Sequence, residues 1–515
     1  MRTASRTGPR SLSRRQVFQL GGLAAVAVGG SYAGIQLLDQ QSRTLVVPGS
    51  TAVARVEAAR STSGKVVQRT LTAAPSTVDL GGRVVSTWAY DGSVPGPEIR
   101  VGAGDLLQVR LVNQLPDPTT VHWHGLALRN DMDGVPDLTM PAVAPEEAFD
   151  YSFVVPDPGT YWFHPHAGIQ LDYGMQAALI VEDPDEPGGY DEEVVLVLDD
   201  WTDGWGQSPT KILAGFARDG MGSMAGMGGM DGMDGMGGGM GGVSSDAPLG
   251  ADTGDVAYPA HLINGRLPQD PVTITSAPGR RIRFRLINAS GDTAYRFAVG
   301  GHRLSVTHTD GYGVEPLEVD TLILGMGERY DVVVEVGDGV FPVVAAPEGK
   351  PDPAAMAVLR STPGAAPAPG ARPTELDGRL LSYGDLVPTA RATLTAKDVD
   401  RELEMTLGMA DGGRRWLING ATFADRQPLD ITSGERVRIT MTNRSMMFHP
   451  MHVHGHTFAL AGGTGTGVRK DTVNVLPMQT VTVDLQADNP GQWMTHCHNA
   501  YHAELGMMAV LSYTL

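Results

Sequence analysis

Cysteine is all but missing from this chain: one residue, Cys497, in 515. That excludes an intrachain disulfide, so no covalent cross-link holds the fold. Basic side chains are scarce as well, 39 Lys and Arg against 58 Asp and Glu, for a formal charge of −19. Six of the arginines lie in the first 43 residues with a single Asp, which leaves −24 on the remainder. Such a chain repels phosphate backbones and anionic membranes. Nucleic-acid binding is excluded as a main role, and cations are the favoured ligands. Uninterrupted apolar runs are lacking too; the stretch 21–38 holds five glycines and does not read as a membrane span. What is plentiful is hydrophobic material, 42% of residues, which excludes wholesale disorder. Gly (66) and Pro (35) make up about a fifth of the chain and favour a turn-rich β protein.

The N-terminus reads as an address. Ser13-Arg14-Arg15-Gln16-Val17-Phe18 stands directly before the weakly apolar stretch, and Ser31-Tyr32-Ala33 offers small residues for cleavage. An arginine pair in that position predicts a signal for the twin-arginine export machinery, so residues 1–43 are expected to be signal and extension. The mature protein is expected to be extracytoplasmic, in the cell envelope or secreted, with no stable membrane span.

A repeat organises the rest. Gly104-Asp-Leu-Leu-Gln-Val-Arg-Leu-Val-Asn113 returns as Gly279-Arg-Arg-Ile-Arg-Phe-Arg-Leu-Ile-Asn288 and as Gly434-Glu-Arg-Val-Arg-Ile-Thr-Met-Thr-Asn443. Period-2 alternation after a turn glycine predicts a half-buried strand, as in a sandwich or barrel. Pro158-Gly159 lies six residues before His164, and Pro490-Gly491 six before His496, which relates the outer copies further. The spacing predicts three related β domains, residues 44–188, 189–362 and 391–515. The Pro- and Ala-rich stretch 363–390 reads as an extended linker.

Ten of the 14 histidines fall in four clusters: His122-Trp-His124, His164-Pro-His166, His449-Pro-Met-His452-Val-His454, and His496-Cys497-His498 with His502. A lone histidine is usually structural. His-x-His pairs on strands put two imidazoles on one face and predict metal. Counted from the strand-end Asn, His122 and His124 occupy the same places as His452 and His454, nine and eleven residues on. The middle copy has Phe297 and Val299 there, so it is expected to be a spacer beside a metal cluster held from both sides by the outer domains. Cys497 faces away from its two neighbours. With His449, His502 and Met507 it offers two imidazoles, a thiolate and a thioether, the donor set of a blue-copper site.

Across essentially the whole chain after the signal, the sequence resembles the multicopper oxidases, in particular the three-domain bacterial laccase and cuprous-oxidase group that includes copper-resistance proteins, and most nearly the actinobacterial copper-resistance oxidases. The resemblance rests on the four histidine clusters in the family's order. Supporting phrases are His124-Gly-Leu-Ala-Leu-Arg-Asn-Asp-Met-Asp133-Gly, Tyr258-Pro-Ala-His-Leu-Ile-Asn-Gly-Arg266 and His496-Cys-His-Asn-Ala-Tyr-His-Ala-Glu-Leu-Gly-Met507. It implies an all-β fold of three tandem cupredoxin-like Greek-key barrel or sandwich domains and four coppers per chain. The type 1 copper would take His449, Cys497, His502 and Met507. The type 2 copper would take His122 and His452, and the type 3 pair His124, His164, His166, His454, His496 and His498. Asp133 falls where the family has a carboxylate that steers water and protons. The residue after the type 1 His502 is Ala503, and Glu504 follows it as the second candidate acid. Met447 matches a substrate-copper methionine, whereas Ser445 stands at the matching Asp position.

Met221, Met224, Met227, Met230, Met233, Met236 and Met240 recur every three or four residues. A helix is excluded because 12 of residues 220–242 are Gly, each costing about 1 kcal/mol relative to Ala. Thioethers prefer Cu(I), so the segment is expected to gather that ion. The expected activity is one-electron oxidation of Cu(I), and of phenols, coupled to reduction of O2 to water, contributing to copper tolerance. A laccase acting on phenols and a copper-sequestering protein without turnover are the alternatives.

Overall fold

The computed structural model describes residues 44–186, 188–221, 247–463 and 465–515. The expected export signal and six of the seven clustered methionines lie outside the described residues. The chain falls into two compact units. One is residues 46–513; the described part of the other is residues 44–45 and 514–515, where Leu45 pairs antiparallel with Thr514.

The Gly-to-Asn phrase sets the layout of the larger unit, because each end of it has a physical job. Gly104, Gly279 and Gly434 take φ of +84°, +78° and +94°, values that suit glycine and turn the chain into the strand. The strands that follow, Leu106–Asn113, Arg281–Asn288 and Arg436–Asn443, occupy equivalent places. Each pairs in parallel with one neighbour (Val66–Asp79, Glu192–Trp201, Arg401–Ala410) and antiparallel with the other (Ala148–Val154, Arg329–Glu335, Thr480–Gln486). The closing Asn is wholly buried in all three copies. Its amide nitrogen donates to two backbone carbonyls: Asp117 and Val143, then Thr293 and Leu324, then Met447 and Val475. Its oxygen accepts the backbone N–H two residues on, a local turn that pins the chain as it crosses to the facing sheet.

The result is three two-sheet sandwiches, of four and four, six and five, and six and five strands. The all-β class expected from the sequence holds. Leu107, Val109 and Leu111 point into the first core, each fully buried aliphatic contributing about 1.5–3 kcal/mol. The middle copy departs from alternation. Arg283 and Arg285 are as buried as their neighbours, because Asp331 takes Arg283 at 2.6 Å and Glu193 takes Arg285 at 2.6 Å. Nor is the stretch 363–390 a free tether. Leu376 is fully buried against Ala298, Val344, Met356 and Val358, and Arg296 donates to the Leu376 carbonyl.

Candidate metal centre

Crossing from one sheet to the other delivers the chain to the histidine strands. In the first sandwich His122–His124 pairs with Gly159–His164, setting His122 opposite His164. In the third, His449–Val453 runs between Thr472–Val475 and Gln492–Cys497, with His452 opposite His496 and Met451 opposite Cys497. Facing strand residues sit about 5 Å apart, so the pairing itself gathers imidazoles. In the second sandwich the corresponding strand Tyr295–Val299 carries Phe297 and Val299 into the core.

Five compact donor groups follow among the described residues, in each of which the candidate ligand atoms lie within 4.8 Å of one another: His122, His124 and His452; His124, His164 and His498; His166, His454 and His496; His449, Cys497 and His502; and His122, Asp133 and His454. His122 and His124 share a group with His452, whereas the other His-x-His pairs are divided between groups. His496 joins His166 and His454, whereas His498 joins His124 and His164.

The hydrogen bonds fix which nitrogen is free. A ring nitrogen that meets a carbonyl must carry the proton. His122, His164, His452 and His496 donate Nδ1–H to the carbonyls of Asp133, Pro165, Asp471 and Cys497 at 2.8–3.0 Å, and His454 donates to Asp133 Oδ2 at 2.9 Å. Their Nε2 lone pairs then point inward. Those of His122, His164 and His452 have no partner, while His454 and His166 bring Nε2 to 3.1 and 3.4 Å from His496 Nε2. His124 is turned the other way, Nε2 toward Asp471 and Nδ1 unpartnered. Both His498 nitrogens lack partners. Burial, and then the neighbouring imidazoles, hold His124, His164, His166, His454, His496 and His498 well below the ordinary histidine range, so they are neutral. Buried lone pairs facing one another without protons are a set that cations satisfy, and this donor chemistry fits copper.

The Cys497 group is separate. Its Sγ lies 3.6 Å from His449 Nδ1 and 3.7 Å from His502 Nδ1, and those two nitrogens are 3.2 Å apart. Burial pushes the thiol up, so the thiolate would form only with a metal. Met507 is wholly buried, its carbonyl accepting from Cys497 N. His502 sits on the short helix Ala500–Glu504, capped by the Asn499 side chain, which accepts from Tyr501 and His502 N–H. The outer nitrogens are held in different ways. Ser445 Oγ meets His449 Nε2 at 2.7 Å, and Asp255 Oδ2 accepts from His502 Nε2 at 3.0 Å. Trp416 stacks on His502 with centroids 3.8 Å apart.

Of the predicted acids, Asp133 is buried between His122 and His454. Glu504 is half-buried on a cavity of about 420 Å³ that also reaches His166, and burial pushes its carboxyl up to about 7. Met447 is buried, with Asp252 bridging to its backbone, while Met446 is exposed. Met221 is a correction. It is buried in the core, where its Sδ accepts the Trp416 indole N–H at 3.0 Å, because the amphipathic helix Pro209–Asp219 leads it inward. The middle sandwich as a spacer is a second correction, since it supplies Asp255 to His502 and Arg329 to Asp471. The sequence reading missed Asp255, Asp471 and Arg329; none lies in a motif or repeats between copies.

Family profiles described as multicopper oxidase match residues 72–186, 192–363 and 394–514. The chain belongs to the multicopper oxidases, oxidoreductases built from cupredoxin domains. It is 45% identical over 467 residues to the multicopper oxidase MmcO of Mycobacterium tuberculosis, covering 90% of this chain and 91% of that one. It is 27% identical to a copper resistance protein A homolog of Pseudomonas syringae pv. tomato, over 85% and 90% of the two chains. The solved structure of Fet3p, described as a multicopper oxidase that functions in iron import, superimposes with a TM-score of 0.73 at 22% identity, over 87% and 90%, and supports the fold alone. Among the described residues no helix is long and apolar enough to cross a membrane.

Proposed function

We propose that this multicopper oxidase oxidises Cu(I) to Cu(II) one electron at a time, with O2 as the acceptor, and so contributes to copper tolerance. Copper bound in these groups would supply the one-electron oxidation and the four-electron reduction of O2 to two waters. In this reading His449, Cys497, His502 and Met507 hold the type 1 copper, and His122 and His452 the type 2 copper. His124, His164, His166, His454, His496 and His498 hold the type 3 pair, for four coppers in all. Asp133 fixes the rings of His122 and His454. Glu504 would hold a proton near neutral pH beside the cavity that reaches His166.

The observation that carries the substrate is the rim of His502. Asp255 joins that ring to the half-exposed segment around Asp252, whose backbone meets Met447. Partial burial, then Asp255 and Asp292, push Asp252 up to about 6, which marks a spot where negative charge is crowded and a cation is welcome. Carboxylates and a thioether together suit copper in both oxidation states, and a copper-resistance relative matched over 85% of this chain supports the same choice. Export by the twin-arginine route to an extracytoplasmic site belongs to this reading, on the strength of Arg14-Arg15.

The test is oxygen uptake after Cu(I) is added anaerobically to copper-loaded protein and air is then admitted. Uptake that vanishes in Cys497→Ser is expected. Replacing Met224, Met227, Met230, Met233, Met236 and Met240 by Ser should raise KM for Cu(I) and leave oxidation of a bulky phenol unchanged. Copper binding without oxygen uptake would mean sequestration, and uptake with phenols alone would mean a laccase.

A further inference from the structure

At the fully buried guanidinium of Arg329 all three sandwiches meet beside the candidate ligands. Arg329 opens the strand Arg329–Glu335 of the second sandwich. Its Nε donates to the Thr160 carbonyl at 3.0 Å, on the first-sandwich strand that carries His164. Its Nη1 and Nη2 grip both oxygens of Asp471 in the third sandwich at 2.7 and 2.6 Å, and Nη1 also reaches the Gly327 carbonyl at 3.1 Å. On its far side Asp471 meets two candidate ligands. Oδ1 lies 3.2 Å from His124 Nε2, and the backbone carbonyl accepts from His452 Nδ1 at 2.9 Å. The fit leaves no slack: a Cβ on Gly125, the residue after His124, would lie 2.5 Å from Arg329 Nη2 and 2.6 Å from Asp471 Oδ2.

We infer that Arg329 is a positioning residue for the trinuclear ligands, acting through Asp471 to orient His124 from the first sandwich and His452 from the third; this rests on the copper assignment proposed above. The physical reason lies in the fork. A planar guanidinium holding both carboxylate oxygens leaves Asp471 one rotation, and in that rotation Oδ1 accepts from His124 and turns its Nδ1 inward. Lysine would keep the charge but not the rotation, because an ammonium is a point donor. Seen this way the middle sandwich, which has no ligand of its own at the repeat positions, sets the ring angles of ligands on either side of it.

The experiment compares copper-loaded parent, Arg329→Lys and Thr160→Val. The last removes a hydroxyl that bonds Asp331 at 2.7 Å and Arg285 at 2.9 Å on the same seam, without touching a histidine. Three quantities are read: blue absorption per chain, the type 2 copper EPR signal, and copper retained during dialysis against a chelator. Arg329→Lys should keep parental blue absorption, shift the type 2 signal, and hold cluster copper about tenfold to a hundredfold less tightly, as loss of an outer-shell partner does. Thr160→Val should match the parent on all three. An unshifted type 2 signal with parental copper retention in Arg329→Lys would overturn the inference, as would parallel loss of blue and type 2 signals in both variants, which marks a seam that merely holds the fold. Should Arg329→Lys not accumulate, Asp471→Asn is read by the same criteria. A parent with no type 2 signal overturns the copper assignment instead, whatever the variants do.

Discussion

Replacing Gly327 by alanine adds one methyl group at a place where the structure allows it no room. Gly327 has φ of +85°, so the backbone alone costs an L-residue about 1–2 kcal/mol. The new Cβ would lie 2.8 and 3.0 Å from Cδ2 and Cγ of His498 and 3.1 Å from Cε1 of His124. Restoring an ordinary contact of 3.4 Å moves the His498 ring by about 0.6 Å, three times the roughly 0.2 Å within which a metal–ligand distance holds. The ring can give way only by leaving the position from which it would hold a metal in the assignment proposed above. The Cys497 group is untouched, because it faces the other side of that strand. Copper-loaded Gly327→Ala should therefore keep its blue absorption and lose the near-ultraviolet absorption of the coupled pair, with about tenfold weaker copper retention. Backbone strain should lower the melting temperature of the second sandwich by about 2–8 °C. Metal analysis, absorption and calorimetry on one preparation decide it. A variant with the parental copper content and spectrum would refute the steric reasoning.

Two further outcomes follow from buried groups. Met221→Leu keeps the volume but leaves the Trp416 N–H without its acceptor and should cost about 1–3 kcal/mol, whereas Met221→Ala opens a cavity and should cost about 2–5 kcal/mol; calorimetry that finds both equal to parent would return Met221 to the copper-gathering segment. In protein stripped of copper, burial and neighbouring imidazoles hold His124, His164, His166, His449, His454, His496 and His498 below their unfolded value. The unfolded chain then binds more protons than the folded one, so stability present above about pH 6.5 is lost as pH falls. Thermal melts should show a continuous decline from about pH 7 to about pH 5, and a flat profile would contradict it.

Much of this was legible in the sequence because chemistry and repetition marked it together. The Gly-to-Asn phrase exposed three sandwiches since each end does a local job, a left-handed turn and a side-chain pin, that no tertiary context has to supply. The grouping of His449 with Cys497 and His502, and of the eight other histidines, could be read from strand parity and equivalent positions. Asp255, Asp471 and Arg329 could not. They reach their partners across 247, 347 and 142 residues, and no local period records such a pairing. Calling the middle copy a spacer followed from counting ligands and not the groups that hold them. Arg283 and Arg285 misled for a related reason, because alternation says which face a residue takes but not whether a second sandwich covers that face.

The separation between the two halves of the cluster has a bearing on biosynthesis. His122, His124, His164 and His166 leave the ribosome long before His452, His454, His496 and His498; 285 residues lie between His166 and His452 alone. At about 5–20 residues per second, the first four wait roughly a quarter of a minute to a minute for the rest. During that interval the first sandwich can fold, since its strand pairings close within residues 66–182. It presents two ligands of two histidine groups and one of a third, and an incomplete group grips copper weakly and releases it. Capture in earnest has to await the last twentieth of the chain, which brings Cys497 and three histidines at once. Loading is thereby coupled to completion of synthesis, and a ribosome that stalls early strands no redox-active metal on an unfinished product.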